Sequence, residues 1–123
     1  MHAEGEAGTT NPTLKTVLHF NEVFNRHDVD GIMNLMTEDC VFESTSPPPD
    51  GGRYEGRESV RAVWEELFRT SPDAWFDAEE ILTTEDRCVV RWRYTFRTGH
   101  IRGVDVMTVR DGKIAEKLSY VKG

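Results

Sequence analysis

From residue 11 onward, apolar residues recur at two different periods, and the change of period divides the chain. Leu14, Val17, Leu18, Phe20, Val23 and Phe24 form one broad stripe at helical spacing, which predicts an amphipathic helix. Asn11 and Pro12 open it: Asn offers a side-chain acceptor to the free amides of the first turn, and Pro lacks the N–H that this turn would leave unbonded. Asp28 caps a second, short helix on which Val29, Ile32, Met33 and Met36 repeat at helical intervals, the methionines reading as core filler. A third helix starts near Glu58, presents Val60, Val63, Trp64, Leu67 and Phe68 on one face, and ends before Pro72. Trp64 is core unless a cavity lies beneath it.

Between the second and third helices, Cys40 to Thr45 alternates as a strand does, with Phe42 and Ser44 on one face and Val41 and Glu43 on the other. Residues 46–53, SPPPDGGR, then break both periods; prolines stiffen the segment and glycines let it turn. It is a loop, serving either as a plain connection or as the rim of a pocket. From Ala74 the period is two. Strands are predicted over about 75–83, 88–97, 100–110 and 113–121, with turns at Glu85-Asp86, Thr98-Gly99 and Asp111-Gly112. Helices followed by consecutive antiparallel strands make an α+β layer in which a curved sheet wraps the helices. Gly99 and Gly103 mark positions where such a sheet bends or bulges.

Length and composition narrow this picture. At 123 residues the chain forms one domain, expected over 11–123, after a small, polar lead at 1–10 that has nothing to bury and is expected to be disordered. The lead lacks the basic segment and apolar core of a secretory signal, so the expectation is a reduced, cytoplasmic protein. No apolar run reaches membrane-spanning length, which excludes a membrane partner. A net charge of −7 and a pI near 5.1 exclude nucleic acid, because phosphate binding needs clustered Lys and Arg. Arg91, Arg93 and Arg97 alternate with Val90, Trp92, Tyr94 and Phe96, the solvated face of a half-buried strand. His19 lies among Lys15, Thr16, Glu22 and Arg26 and reads as a surface histidine. Cys40 and Cys88 read as small buried hydrophobes; neither has a second Cys or a His at ligand spacing, so no metal is expected and no cofactor is implied.

One residue breaks the apolar pattern of its strand. Asp105 stands in Val104-Asp105-Val106-Met107, where a carboxyl must be neutralised, paired or used. Its surroundings depend on the register of the last hairpin. A two-residue loop at Asp111-Gly112 places Leu118 across from Asp105, with Met107, Val109, Ile114 and Tyr120 on that face, a setting that favours the protonated acid and makes it a proton donor. A three-residue loop with Gly112 in a bulge places Lys117 opposite, and an ionised Asp105 is then a base or half of a salt bridge. A purely structural role has the carboxyl bonded to backbone amides or to a side chain such as Tyr94. His100 points away from Asp105 in a regular strand, being an odd number of positions removed, unless Gly103 bulges. Trp92, Tyr94 and Phe96 share a face that either lines a cavity for a ring-shaped apolar ligand or fills the core.

The order helix, helix, strand, loop, helix and four strands, with FNRHDVDGIMNLMTEDCVFES, GRYEGRESV and DVMTVRDGKI, resembles the nuclear transport factor 2-like superfamily, and more closely its SnoaL-like and ketosteroid isomerase branches. The resemblance covers about residues 12–121. It implies a cone-shaped, strongly curved, mixed or antiparallel sheet packed against three N-terminal helices. The scaffold carries isomerases, cyclases, dehydratases, hydrolases and non-catalytic binding modules, so the resemblance implies a fold rather than one activity. In the isomerases a buried acid before the last hairpin donates a hydrogen bond to the developing enolate oxygen, and Asp105 falls on that position. Phe20 stands where those enzymes have a tyrosine, and Ser44 where they have the aspartate base. A serine with no adjacent His cannot abstract a proton from carbon at neutral pH, so steroid isomerisation in that form is not expected. RWRYTF likewise departs from the Arg and Asp of the related epoxide hydrolases.

The expectation is therefore a hydrophobic pocket lined by Phe20, Phe24, Phe42, Ser44, Trp64, Trp92, Tyr94, Met107 and Tyr120. It would take a small hydrophobic carbonyl compound for isomerisation, aldol-type cyclisation or dehydration, with Asp105 as acid or oxyanion donor. The alternative is a non-catalytic ligand-binding or dimerisation module. The resemblance also implies a homodimer formed through the exposed side of the sheet.

Overall fold

The computed structural model describes residues 11–122, and the lead at 1–10 lies outside the described residues. Helix α1 spans Pro12–Asn25, α2 Val29–Asn34 and α3 Arg57–Thr70; the strands are β1 Met36–Glu43, β2 Arg53–Glu55, β3 Trp75–Thr83, β4 Arg87–Phe96, β5 Gly99–Arg110 and β6 Lys113–Val121. Asn11 caps α1 by accepting from the amides of Thr13 and Leu14 at 2.8 and 3.1 Å. Asp28 caps α2 through the Gly31 amide at 3.0 Å. These two helices thus begin where their first free amides find a side-chain acceptor, whereas α3 starts after Gly56 without one.

The sheet runs in the order β2-β1-β6-β5-β4-β3. The last four strands form an antiparallel meander, and β1 lies parallel to β6, so the sheet is mixed. It curls around the helices without closing, which confirms the α+β architecture. The core sits in the concavity, where Val17, Ile32, Met33, Val60 and Val90 are fully enclosed. Cys40 and Cys88 are free and buried. Burial, and then the charge of Asp105, pushes the Cys88 thiol up to about 11. His19 is exposed, as is Arg91, which pairs with Glu80 at 2.9 Å on the convex face. No helix among the described residues is long and apolar enough to cross a membrane.

Three local expectations are corrected. Met36 belongs to β1 rather than to the second helix, which ends at Asn34, and β1 starts four residues before Cys40. The parallel neighbour causes this: Met36 pairs with Ile114, whose amide donates to the Leu35 carbonyl at 2.7 Å. The loop at 46–53 ends in a short strand, β2, paired with β1. Its return is made at Gly51, at φ 76°, where a β-carbon would come within 1.7 Å of the Ser44 carbonyl oxygen. Gly103 does not bulge. It pairs in register with Trp92 and Val121, and a β-carbon there would lie 2.5 Å from Cζ2 of Trp92. The missing side chain is the space that the indole occupies.

Candidate functional site

The residues facing the concavity are decided by one extra residue in β6. The hairpin has the two-residue loop Asp111-Gly112, at φ 54° and 76°, so Arg110 pairs with Lys113 and Val109 with Ile114. Thr108 then pairs with Glu116, which leaves Ala115 as a bulge. Beyond it every side chain of β6 lies on the face opposite to the one that unbroken alternation assigns. Asp105 is therefore across from Ser119, neither Leu118 nor Lys117; Leu118 pairs with Val106 and Lys117 with Met107. Tyr120 is turned to the convex side, 56% exposed, where it borders a shallow depression with Glu79 and Arg91.

Asp105 is fully enclosed, and each of its three polar neighbours is a donor. Its Oδ1 accepts from Trp92 Nε1 at 2.9 Å and from Ser119 Oγ at 2.6 Å. Its Oδ2 lies 3.1 Å from Lys117 Nζ. That set suits the acceptor-only carboxylate form. Lys117 is only 6% exposed, and its ammonium stands 5.0 Å from the Phe42 ring centroid, 5.7 Å from Trp64 and 5.8 Å from Phe24. A buried cation needs such compensation, and here an ion pair and three aromatic faces supply it. Ser119 Oγ lies 3.4 Å from the same nitrogen.

Above this group lies a cavity of about 350 Å³ between α3, the end of β1 and the concave face of β4 to β6. Its walls are Phe24, Phe42, Val63, Trp64, Leu67, Phe76, Trp92, Tyr94, Phe96 and Ile101, with polar positions at Ser44, Thr45, Ser46, Ser71, Lys117 and Ser119. Thr45 and Ser46 make the start of the proline loop part of the rim. The Trp64 indole nitrogen and the Tyr94 hydroxyl are buried without a partner. Burial pushes the Tyr94 phenol up to about 12, so at neutral pH it keeps its proton and remains a donor. No Asp, Glu or His is among the lining residues.

Of the residues expected at the pocket, Phe24, Phe42, Ser44, Trp64, Trp92 and Tyr94 line it. Phe20 and Met107 are core: Phe20 stacks on Phe24 at 6.2 Å, and Met107 is fully buried on β5, where it pairs with Lys117 of β6. Asp105 is not on the cavity surface; Lys117 and Ser119, which it holds, are. The carboxyl is bonded by Trp92 rather than by Tyr94. The sequence does not place Ser119 at the site, and it brings in Lys117 only as a pair for Asp105 in one of the two hairpin registers. The signal for both lies in KIAEKLSYV, where Ala115 is small enough to face either way.

A family model for the SnoaL-like domain matches residues 17–117. No curated protein matches the chain. Among solved structures, an NTF2-like protein of unknown function from Mesorhizobium loti is 42% identical, with a TM-score of 0.81, over 91% of this chain and 92% of that one. A Mycobacterium tuberculosis protein in complex with estradiol-17β-hemisuccinate is similar at 23% identity and a TM-score of 0.74, over 89% of this chain and 93% of that one. A computationally designed 17-OHP binder is similar at 23% identity and a TM-score of 0.77, over 89% and 93%. The last two are likenesses of fold.

Proposed function

The chain belongs to the SnoaL-like family within the nuclear transport factor 2-like superfamily, and from that premise we propose that its concave cavity binds a small, flat, hydrophobic carbonyl compound whose oxygen is held by Lys117. The observation that carries this reading is the ammonium of Lys117, buried among Phe24, Phe42 and Trp64 on the surface of an otherwise largely apolar cavity. The aromatic walls favour a ring system by area removed from water. The polar groups decide which one. An ammonium, a partnerless indole N–H and hydroxyls offer donors and no carboxylate, so a ligand that brings an acceptor satisfies groups that an alkane leaves bare. Two proteins of the same fold, each 23% identical, take estradiol-17β-hemisuccinate and 17-OHP, which supports a cavity of suitable shape for a flat ring system.

Asp105 serves in this reading as a positioning residue. It holds Lys117 and Ser119 towards the cavity, and an ammonium so fixed stabilises negative charge that develops on a bound carbonyl oxygen during isomerisation, cyclisation or dehydration. The walls supply no carboxylate or imidazole to take a proton from carbon, so binding and polarisation of the carbonyl are what the cavity does by itself.

Thermal unfolding with a panel of steroid ketones, polyketide-like aromatic ketones and small enones tests this, each compared with its analogue lacking the carbonyl. A ketone at 100 times its Kd should stabilise the fold by about 2.7 kcal/mol, a rise of several degrees in Tm. The analogue should do less, and Lys117→Met should erase the difference. Equal shifts for ketone and analogue, or no shift with any compound, would contradict the reading.

A further inference from the structure

We propose that Lys117 forms a reversible imine with hydrophobic aldehydes and ketones held in the cavity, which makes it a covalent carbonyl-binding residue as well as a hydrogen-bond donor. The inference rests on the reading that the cavity takes carbonyl compounds and adds a bond to it. Lys117 is the one amine on the cavity surface; the other nucleophilic groups among the lining residues are hydroxyls. An amine attacks a carbonyl only when unprotonated, so the geometry must provide a place for its proton. Asp105 does so with one oxygen in particular. Its Oδ1 already accepts from Trp92 and Ser119, whereas Oδ2 has no hydrogen-bond partner and faces Nζ at 3.1 Å. Asp105 is fully enclosed and Lys117 only 6% exposed, so the oxygen that takes the proton sits beside the amine with little water to compete for it.

The step balances without any further reagent. One proton passes from Nζ to Asp105 Oδ2. The free amine then attacks the carbonyl carbon, the C–N bond forms, and the C=O π pair moves onto oxygen. A second proton passes from nitrogen to that oxygen, giving the carbinolamine. Asp105 returns the first proton as the C–O bond breaks, and water leaves. Two of the three ammonium protons depart in the water and the third stays on the iminium nitrogen, so the charge beside Asp105 is the same before and after. The product cation stays beside the three rings that faced the ammonium.

The chain has three other lysines in the described structure, Lys15, Lys113 and Lys122, and all are exposed. They are internal controls. The protein is treated with limiting 2-naphthaldehyde and sodium cyanoborohydride, which reduces an iminium to a stable secondary amine, and the adducts are mapped by peptide mass spectrometry. Lys117 should be labelled about tenfold or more faster than the exposed lysines, as for an amine held in a desolvated site beside a proton acceptor. Lys117→Arg keeps a cation beside Asp105 but forms no imine, and should lose the fast label while retaining the fold. Quenching of tryptophan fluorescence by 2-acetylnaphthalene reports reversible binding separately. Slow or indiscriminate labelling with that binding intact would overturn the imine and leave the cavity reading standing. Absence of both label and binding would overturn the two together.

Discussion

Asp105→Ala is expected to destabilise the fold by about 3–5 kcal/mol, because it leaves the ammonium of Lys117 buried without its counter-charge. Lys117 is 6% exposed and Asp105 fully enclosed, so little water reaches either group. The same substitution removes the acceptor of Trp92 Nε1 and Ser119 Oγ. Lys117→Met should cost less than Asp105→Ala, since the carboxylate would keep those two bonds. The double variant Asp105→Leu with Lys117→Met should recover a large part of the loss, because both desolvated charges leave together. Urea unfolding curves with equal slopes would measure this. A loss below about 1 kcal/mol for Asp105→Ala, the level of an exposed pair, would show that solvent reaches the site and that the pair is not the buried one described here.

Trp64→Ala should cost about 3–5 kcal/mol, the range for deleting a large buried aromatic side chain. Its ring packs edge-on to Phe24 at 5.6 Å and tilted against Phe42 at 4.5 Å, and forms one wall around the Lys117 ammonium. Trp64→Phe should behave differently. It keeps an aromatic face near the ammonium, and the indole N–H that it removes has no partner in the fold, so the stability cost should stay below about 1.5 kcal/mol. What Trp64→Phe should lose is ligand: a ketone that accepts from the indole would bind about tenfold more weakly, the worth of one hydrogen bond. Calorimetric titration of both variants separates the two effects. Unchanged ketone affinity in Trp64→Phe would remove the indole from the binding scheme.

Much of this architecture is legible in the residues. The four-strand meander follows from period-two alternation broken by Asp-Gly and Thr-Gly turns, and the first two helix starts follow from Asn11 and Asp28, whose side chains do bond the first amides. What escapes has a physical cause in each case. Met33 and Met36 are three apart, a spacing that fits a helix as well as the passage from α2 into β1. The β2 strand is too short to show a period. The aromatic walls of the cavity are legible because alternation places Trp92, Tyr94 and Phe96 on one face. The polar floor is not, because a single bulge at Ala115 exchanges Leu118 and Tyr120 for Lys117 and Ser119 and leaves no mark in composition. Asp105 stands out as a buried acid, yet two of its neighbours, Lys117 and Ser119, come from the strand whose register the sequence leaves ambiguous.

The most direct measurement is the nitrogen-15 NMR spectrum of the three indole N–H groups during titration with a flat aromatic ketone such as 2-acetylnaphthalene. Trp64 lines the cavity with a free N–H, Trp92 lines it with its N–H tied to Asp105, and Trp75 is half-exposed on the convex side, bonded to Asp77. The account predicts a large, saturable shift at Trp64, a smaller one at Trp92 and none at Trp75. A shift confined to Trp75, or three resonances that do not move, would contradict a ligand cavity above Lys117.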